Sequence, residues 1–130
     1  MAGTLITSTL QGTTLTDGTN STSTTNCIQG SAKAWVNFNG IGTVAIRTSY
    51  NVSSITDNGT GDYTVNFTNA LADANYCPVA MVGAINPTST IRGVCISSTT
   101  APTTSALRVS NTNVSGTAED LDYYCIAIFD

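Results

Sequence analysis

Apolar and polar residues alternate in short runs along most of the chain, and the cleanest alternation lies near its middle. Tyr63, Val65 and Phe67 stand at every second position, with Thr64 and Asn66 between them. That period belongs to a strand with one face in a core and the other in water. Residues 52–56 form a second run just before it. The intervening Asp57-Asn58-Gly59-Thr60-Gly61-Asp62 holds residues that accept positive φ, so the whole stretch reads as a β-hairpin. The Tyr63/Val65/Phe67 row fixes its register, since a slip of one residue would turn the row to solvent.

The same reading extends in both directions. Ala32, Ala34, Val36 and Phe38 alternate with Lys33, Trp35 and Asn37, giving a strand with Trp35 on the opposite face. A turn at Asn39-Gly40-Ile41-Gly42 leads to Val44 and Ile46, alternating with Thr43, Ala45 and Arg47, in a second hairpin. Residues 70–75 are too short for more than one helical turn, with Asp73 or Asn75 available as a cap. Residues 76–84 form the most apolar segment and read as a strand in the middle of the fold. Pro78 sets the start of that strand at an edge or bulge, because proline cannot donate to the ladder. Further strands follow at residues 91–96, at residues 107–109 and at Tyr123–Phe129. In the last, Tyr124, Ile126 and Ile128 alternate with Cys125, Ala127 and Phe129. About eight short strands punctuated by turn signals, with no sustained helical period, predict an all-β chain: a compact β-sandwich or jelly-roll-like domain.

Residues 1–26 stand apart. They are rich in Thr, lack aromatics, and carry Leu5, Ile6, Leu10 and Leu15 as their only sizeable apolar groups. Too poor in apolar area to fold alone, they read as an extended N-terminal arm that becomes ordered by adding strands to a partner, with the sandwich occupying residues 27–130. The final strand and the strand around Trp35 are apolar on both faces. A small sandwich hides only one, so the surplus face predicts subunit contact through Trp35, Tyr123 and Phe129.

Composition narrows the function classes. Only 9% of residues are charged, and Thr, Ser and Asn take their place, which suits strands and turns. The net charge is −4, with Lys33, Arg47, Arg92 and Arg108 as the whole basic complement. No basic patch exists for nucleic acid or an anionic membrane surface. No apolar run approaches the roughly 20 residues of a membrane helix, so membrane insertion is not expected. The first residues lack a basic stretch followed by a continuous apolar one, so folding in a cytoplasm is expected. Cys77, Cys95 and Cys125 lie in apolar runs and are expected as buried free thiols, whereas Cys27 lies in a polar stretch and is expected at the surface.

Catalytic constellations are missing. The chain has no histidine, which removes Ser-His-Asp triads, Cys-His dyads and the usual zinc sites. The glycines of residues 40–42 and 59–61 sit in hairpin turns rather than before a helix, where they would cradle phosphate. Asp57, Asp62, Glu119, Asp120 and Asp122 invite comparison with a glycosidase pair or a calcium site, but turn capping and loop solubility account for them better. The reading is a non-enzyme with no catalytic residue, no metal and no cofactor.

Residues 30–76, GSAKAWVNFNG followed by GTVAIRTSYNVSSITDNGTGDYTVNFTNALADANY, together with the closing CIAIFD, resemble the β-rich module of tail fibres and related virion surface proteins of tailed bacteriophages, especially phages of aquatic hosts. That resemblance implies a homotrimer on the outside of a virion, folded in the host cytoplasm before assembly, with no catalytic residues. In fibres the module usually ends a long polypeptide; here it follows residues 1–26. The expected roles are therefore a knob, a fibre tip or a capsid decoration protein, joined through the arm to another virion protein of capsid or tail. The alternative is a receptor-binding tail-fibre adhesin that recognises host surface carbohydrate through Trp35 or loop tyrosines.

Overall fold

The structure, a computed structural model, describes residues 14–16, 19–85 and 92–130. The chain divides after Ser31 into two compact units. In the first, β1 (Thr14–Thr16) pairs antiparallel with β2 (Ser21–Ser23), and a six-residue helix α1 (Thr24–Gln29) follows. Ser23 starts the helix by accepting the Asn26 N–H on Oγ at 3.0 Å, and the Gly30 N–H closes it on the Asn26 carbonyl. The globular part thus begins at Ala32 rather than at Cys27, which sits within α1 and is half-buried.

The second unit is the sandwich. Its strands are β3 (Ala34–Asn39), β4 (Ala45–Tyr50), β5 (Val52–Gly59), β6 (Asp62–Phe67), β7 (Cys77–Gly83), β8 (Arg92–Ile96), β9 (Ala106–Asn113) and β10 (Tyr123–Phe129). They form two four-stranded antiparallel sheets, ordered β4-β3-β10-β7 and β5-β6-β9-β8. Both expected hairpins are present, β3 with β4 and β5 with β6. In the second, the turn tightens to Thr60-Gly61, with Gly59 and Gly61 at φ +124° and +67°. Residues 70–75 form bends instead of a helical turn, because the Asp73 carboxylate accepts the Asn75 N–H at 2.6 Å and holds the chain in a local turn.

The inward rows meet between the sheets. Ala34, Val36 and Phe38 of β3 and Tyr124, Ile126 and Ile128 of β10 face Tyr63, Val65 and Phe67 of β6 and Leu107 and Val109 of β9. Phe38 stacks on Tyr124 at 4.7 Å between ring centroids and meets Tyr63 edge-on at 5.3 Å, joining the two layers. One expectation fails here: β7, drawn from the most apolar segment, is an edge strand of its sheet and not a central one. Its outward row is as apolar as its inward row, and hydropathy alone cannot distinguish a strand covered on both faces from one with an uncovered apolar face.

Candidate assembly surface

The two sheets differ sharply on their outer faces. On the β5-β6-β9-β8 sheet the outward residues are polar and satisfy one another. Asn66 donates to Ser54 Oγ at 3.1 Å and to Thr56 Oγ1 at 2.9 Å, and Asn58 donates to Thr64 Oγ1. Arg108 grips Asp62 with two bonds of 2.7 and 2.8 Å. Those hydrogen bonds, above all, hold the Asp62 carboxyl below its ordinary range.

The β4-β3-β10-β7 sheet turns out apolar side chains. Registry sets Tyr50, Trp35, Ala127 and Val79 in one row across the four strands. The next row is Thr48, Asn37, Cys125 and Met81, and Phe129 lies opposite Cys77. Trp35 and Tyr123 are each 39% exposed, Val79 57% and Met81 73%. Between them lies a shallow depression of about 500 Å³, floored by Ala127 and Cys125. Three of the polar groups on this face are linked to one another. A bulge between Asn37 and Phe38 leaves Arg47 without a cross-strand partner, and its guanidinium lies 4.4 Å from the Tyr123 ring centroid while donating to Asn37 Oδ1. Asn37 in turn donates to the Cys125 sulfur at 3.4 Å. A cluster of exposed aromatic and aliphatic side chains of this size is the kind of surface that contacts protein rather than water.

Trp35, Tyr123 and Phe129, the residues expected at a subunit contact, all lie on this one face. Sequence reading missed Tyr50, Val79 and Met81. Their signal was strand parity, but only the pairing of β10 with both β3 and β7 makes them neighbours. Of the arm residues, Leu5, Ile6 and Leu10 lie outside the described residues. Leu15 is half-buried in β1.

The cysteine expectation is corrected. Cys77, Cys95 and Cys125 are free, as expected, but exposed rather than buried, because each occupies an outward strand position. Their apolar neighbours in sequence belong to alternating rows, so an apolar run does not place a thiol inside. The Cys95 sulfur is 3.3 Å from Ser110 Oγ.

One end of the sandwich holds a polar knot around the buried Tyr63, Tyr124 and Asn111. Tyr63 donates its hydroxyl to Asp120 Oδ1 at 2.6 Å, and the Gly61 N–H reaches the same oxygen at 2.8 Å. The Tyr124 hydroxyl bonds to Asn111 Oδ1, and Asn111 Nδ2 donates to the Glu119 carbonyl at 2.9 Å. Burial first, then the bond to Asp120, pushes the Tyr63 hydroxyl well above its ordinary range; burial does the same to Tyr124. The other carboxylates also serve the fold. Asp57 accepts the Gly59 N–H, Asp122 accepts the Ile85 N–H, and Glu119 pairs with Arg92 at 3.0 Å. Among the described residues no three His, Cys, Asp or Glu side chains gather where a metal ion would bind.

The fold and this surface define an eight-stranded β-sandwich with one uncovered apolar sheet. Comparison with protein-family models, curated proteins and solved structures finds no match for the chain.

Proposed function

We propose that this chain is a structural, non-catalytic module of a bacteriophage particle surface, one that self-associates into a homotrimer through the outer face of the β4-β3-β10-β7 sheet and attaches to another virion protein through its N-terminal segment. The contrast between the two outer faces carries the reading. Uncovered aromatic and aliphatic side chains crowd one sheet, whereas the other is paved with hydrogen-bonded Thr, Ser and Asn. A face of the first kind is a liability on an isolated domain and an asset in an assembly. The resemblance of residues 30–76 to phage surface modules supports the setting. The adhesin alternative gains less from the same surface, because its exposed side chains are mainly apolar and its Asn37 and Arg47 are already bonded within the face. Multi-angle light scattering on the full chain tests self-association, with a trimer mass expected and a monomer at micromolar concentration overturning it. Immunogold labelling of particles tests the location, and absence of the protein from particles rules the virion role out.

A further inference from the structure

The chain contains two Asn-Gly pairs, Asn39-Gly40 and Asn58-Gly59, and the fold treats them in opposite ways. Before glycine an asparagine carboxamide is open to attack by the main-chain nitrogen that follows, because no Cβ crowds the approach. The attack closes a cyclic imide and expels ammonia. Two features of the folded chain govern it: what accepts the glycine N–H, and how much room the glycine has.

At Asn39-Gly40 both are unfavourable. The Gly40 N–H donates to the Leu121 carbonyl at 2.9 Å, and a carbonyl is too weak a base to take the proton. Gly40 is buried against the Tyr63 and Tyr124 side chains. The Asn39 carboxamide is also held away, donating to the Ile41 carbonyl at 2.6 Å.

At Asn58-Gly59 both are reversed. Asp57, Asn58 and Gly59 are exposed at the tip of the β5–β6 hairpin. The ladder pairs Asp57 with Tyr63 and Gly59 with Asp62, so Asn58 is the bulged residue that the register skips. Gly59 sits at φ +124°, and a Cβ built there would meet nothing within 4 Å. Its N–H points at a carboxylate, Asp57 Oδ1, at 2.9 Å. The Asn58 carboxamide donates to Thr64 Oγ1 at 2.9 Å, an exposed bond that water can replace.

We propose that Asn58 is a self-modification site, converted through a cyclic imide to aspartate and isoaspartate with Asp57 as the general base. Asp57 takes the Gly59 amide proton as that nitrogen forms its bond to Asn58 Cγ. The bond from Cγ to Nδ2 then breaks, the proton passes from Asp57 to the departing nitrogen, and ammonia leaves with the carboxylate restored. Water adds to either imide carbonyl and opens the ring. Nothing is oxidised or reduced; one water is consumed and one ammonia released. The product adds a negative charge to a tip that already carries Asp57 and Asp62. The isoaspartyl form lengthens the main chain at the one residue of the tip that the ladder skips. The proposal is independent of self-association.

The test incubates the full chain in warm neutral buffer and maps its peptides. Trypsin cuts after Arg47 and puts the two asparagines on separate peptides, so mass spectrometry follows the conversion of each. In the folded chain Asn58 should convert many-fold faster than Asn39, whereas in urea the two rates should converge. Near neutral pH the Asn58 rate should depend only weakly on hydroxide. Asp57→Ser keeps a side-chain oxygen to accept the Gly59 N–H but supplies no base. With its folding confirmed by circular dichroism, conversion of Asn58 should slow several-fold and become proportional to hydroxide. Equal rates at Asn58 and Asn39 in the folded chain overturn the site. An Asp57→Ser rate that matches the wild type at every pH overturns Asp57 as the base, and the proposal with it.

Discussion

Gly40 shows how tightly the end of the sandwich is closed. A Cβ built there would lie 2.6 Å from the Tyr63 hydroxyl and 2.7 Å from a Tyr124 ring carbon, and both rings are fully buried. Gly40→Ala should therefore cost about 1–3 kcal/mol as the rings are forced off their rotamers, read as a lower melting temperature. Asp120 holds the other side of the knot. Asp120→Ala removes the acceptor of the Gly61 N–H and one of two acceptors of the Tyr63 hydroxyl, which keeps the Gly40 carbonyl, at a cost of about 1 kcal/mol. The same two tyrosines set an alkaline limit. Their hydroxyls titrate higher in the folded state than the ordinary tyrosine value of about 10, so their contribution is fully present below that pH and is lost as pH rises above it. Tyrosinate absorbance and loss of β-sheet circular dichroism should rise together in one transition, and Tyr63→Phe should move it. Ionisation of all five tyrosines without unfolding would show that the knot carries no such linkage.

At the level of elements, β3 separates two roles within six residues. Phe38 points inward and ties the sheets through Tyr63 and Tyr124, so Phe38→Ala should destabilise the isolated domain by about 3–5 kcal/mol. Trp35 points outward beside Tyr50 and Ala127. Trp35→Ala should leave the melting temperature of the monomer nearly unchanged while weakening assembly. As the only tryptophan, Trp35 also reports directly: its emission should shift to the blue as concentration rises, and an unchanged spectrum across the association range would place it outside the contact. On the opposite sheet, the Arg108–Asp62 pair is only partly shielded from solvent, and breaking it with Arg108→Ala should lower the melting temperature only slightly. Asp62 titrates below the ordinary carboxylate range, so that small contribution is present above it and fades as pH falls through the lowered value.

For the whole molecule, the chain divides after Ser31 into two compact units, and the proposed function assigns attachment to the first. The inward rows of all the strands from β3 to β10 lie within residues 32–130, so a chain beginning at Ala32 should fold, melt close to the full chain and still assemble. On the proposed function it should fail to load onto particles, because the segment proposed to attach it is gone. Loss of folding in the shortened chain would make residues 1–31 part of the sandwich; normal loading would put the attachment point on the domain itself.

Much of this was present in the order of residues. Alternation alone specified the Tyr63/Val65/Phe67 row, the Trp35-outward strand, both hairpins and the final strand, because burial on one face of a strand imposes a period of two that any sequence must show. Alternation is a local property, and what it could not carry was which strand lies beside which. The central place of β10 between β3 and β7, the edge position of β7 and the outward turn of three cysteines all depend on pairings between residues far apart in the chain. So does the knot at Gly40, Gly61, Asn111 and Asp120, whose members come from separate turns and strands and share no spacing in sequence. Sequence determined which faces are apolar. Tertiary structure alone decided that one of them is left uncovered and brought its residues together, because adjacency across a sheet is settled by long-range pairing and not by neighbours along the chain.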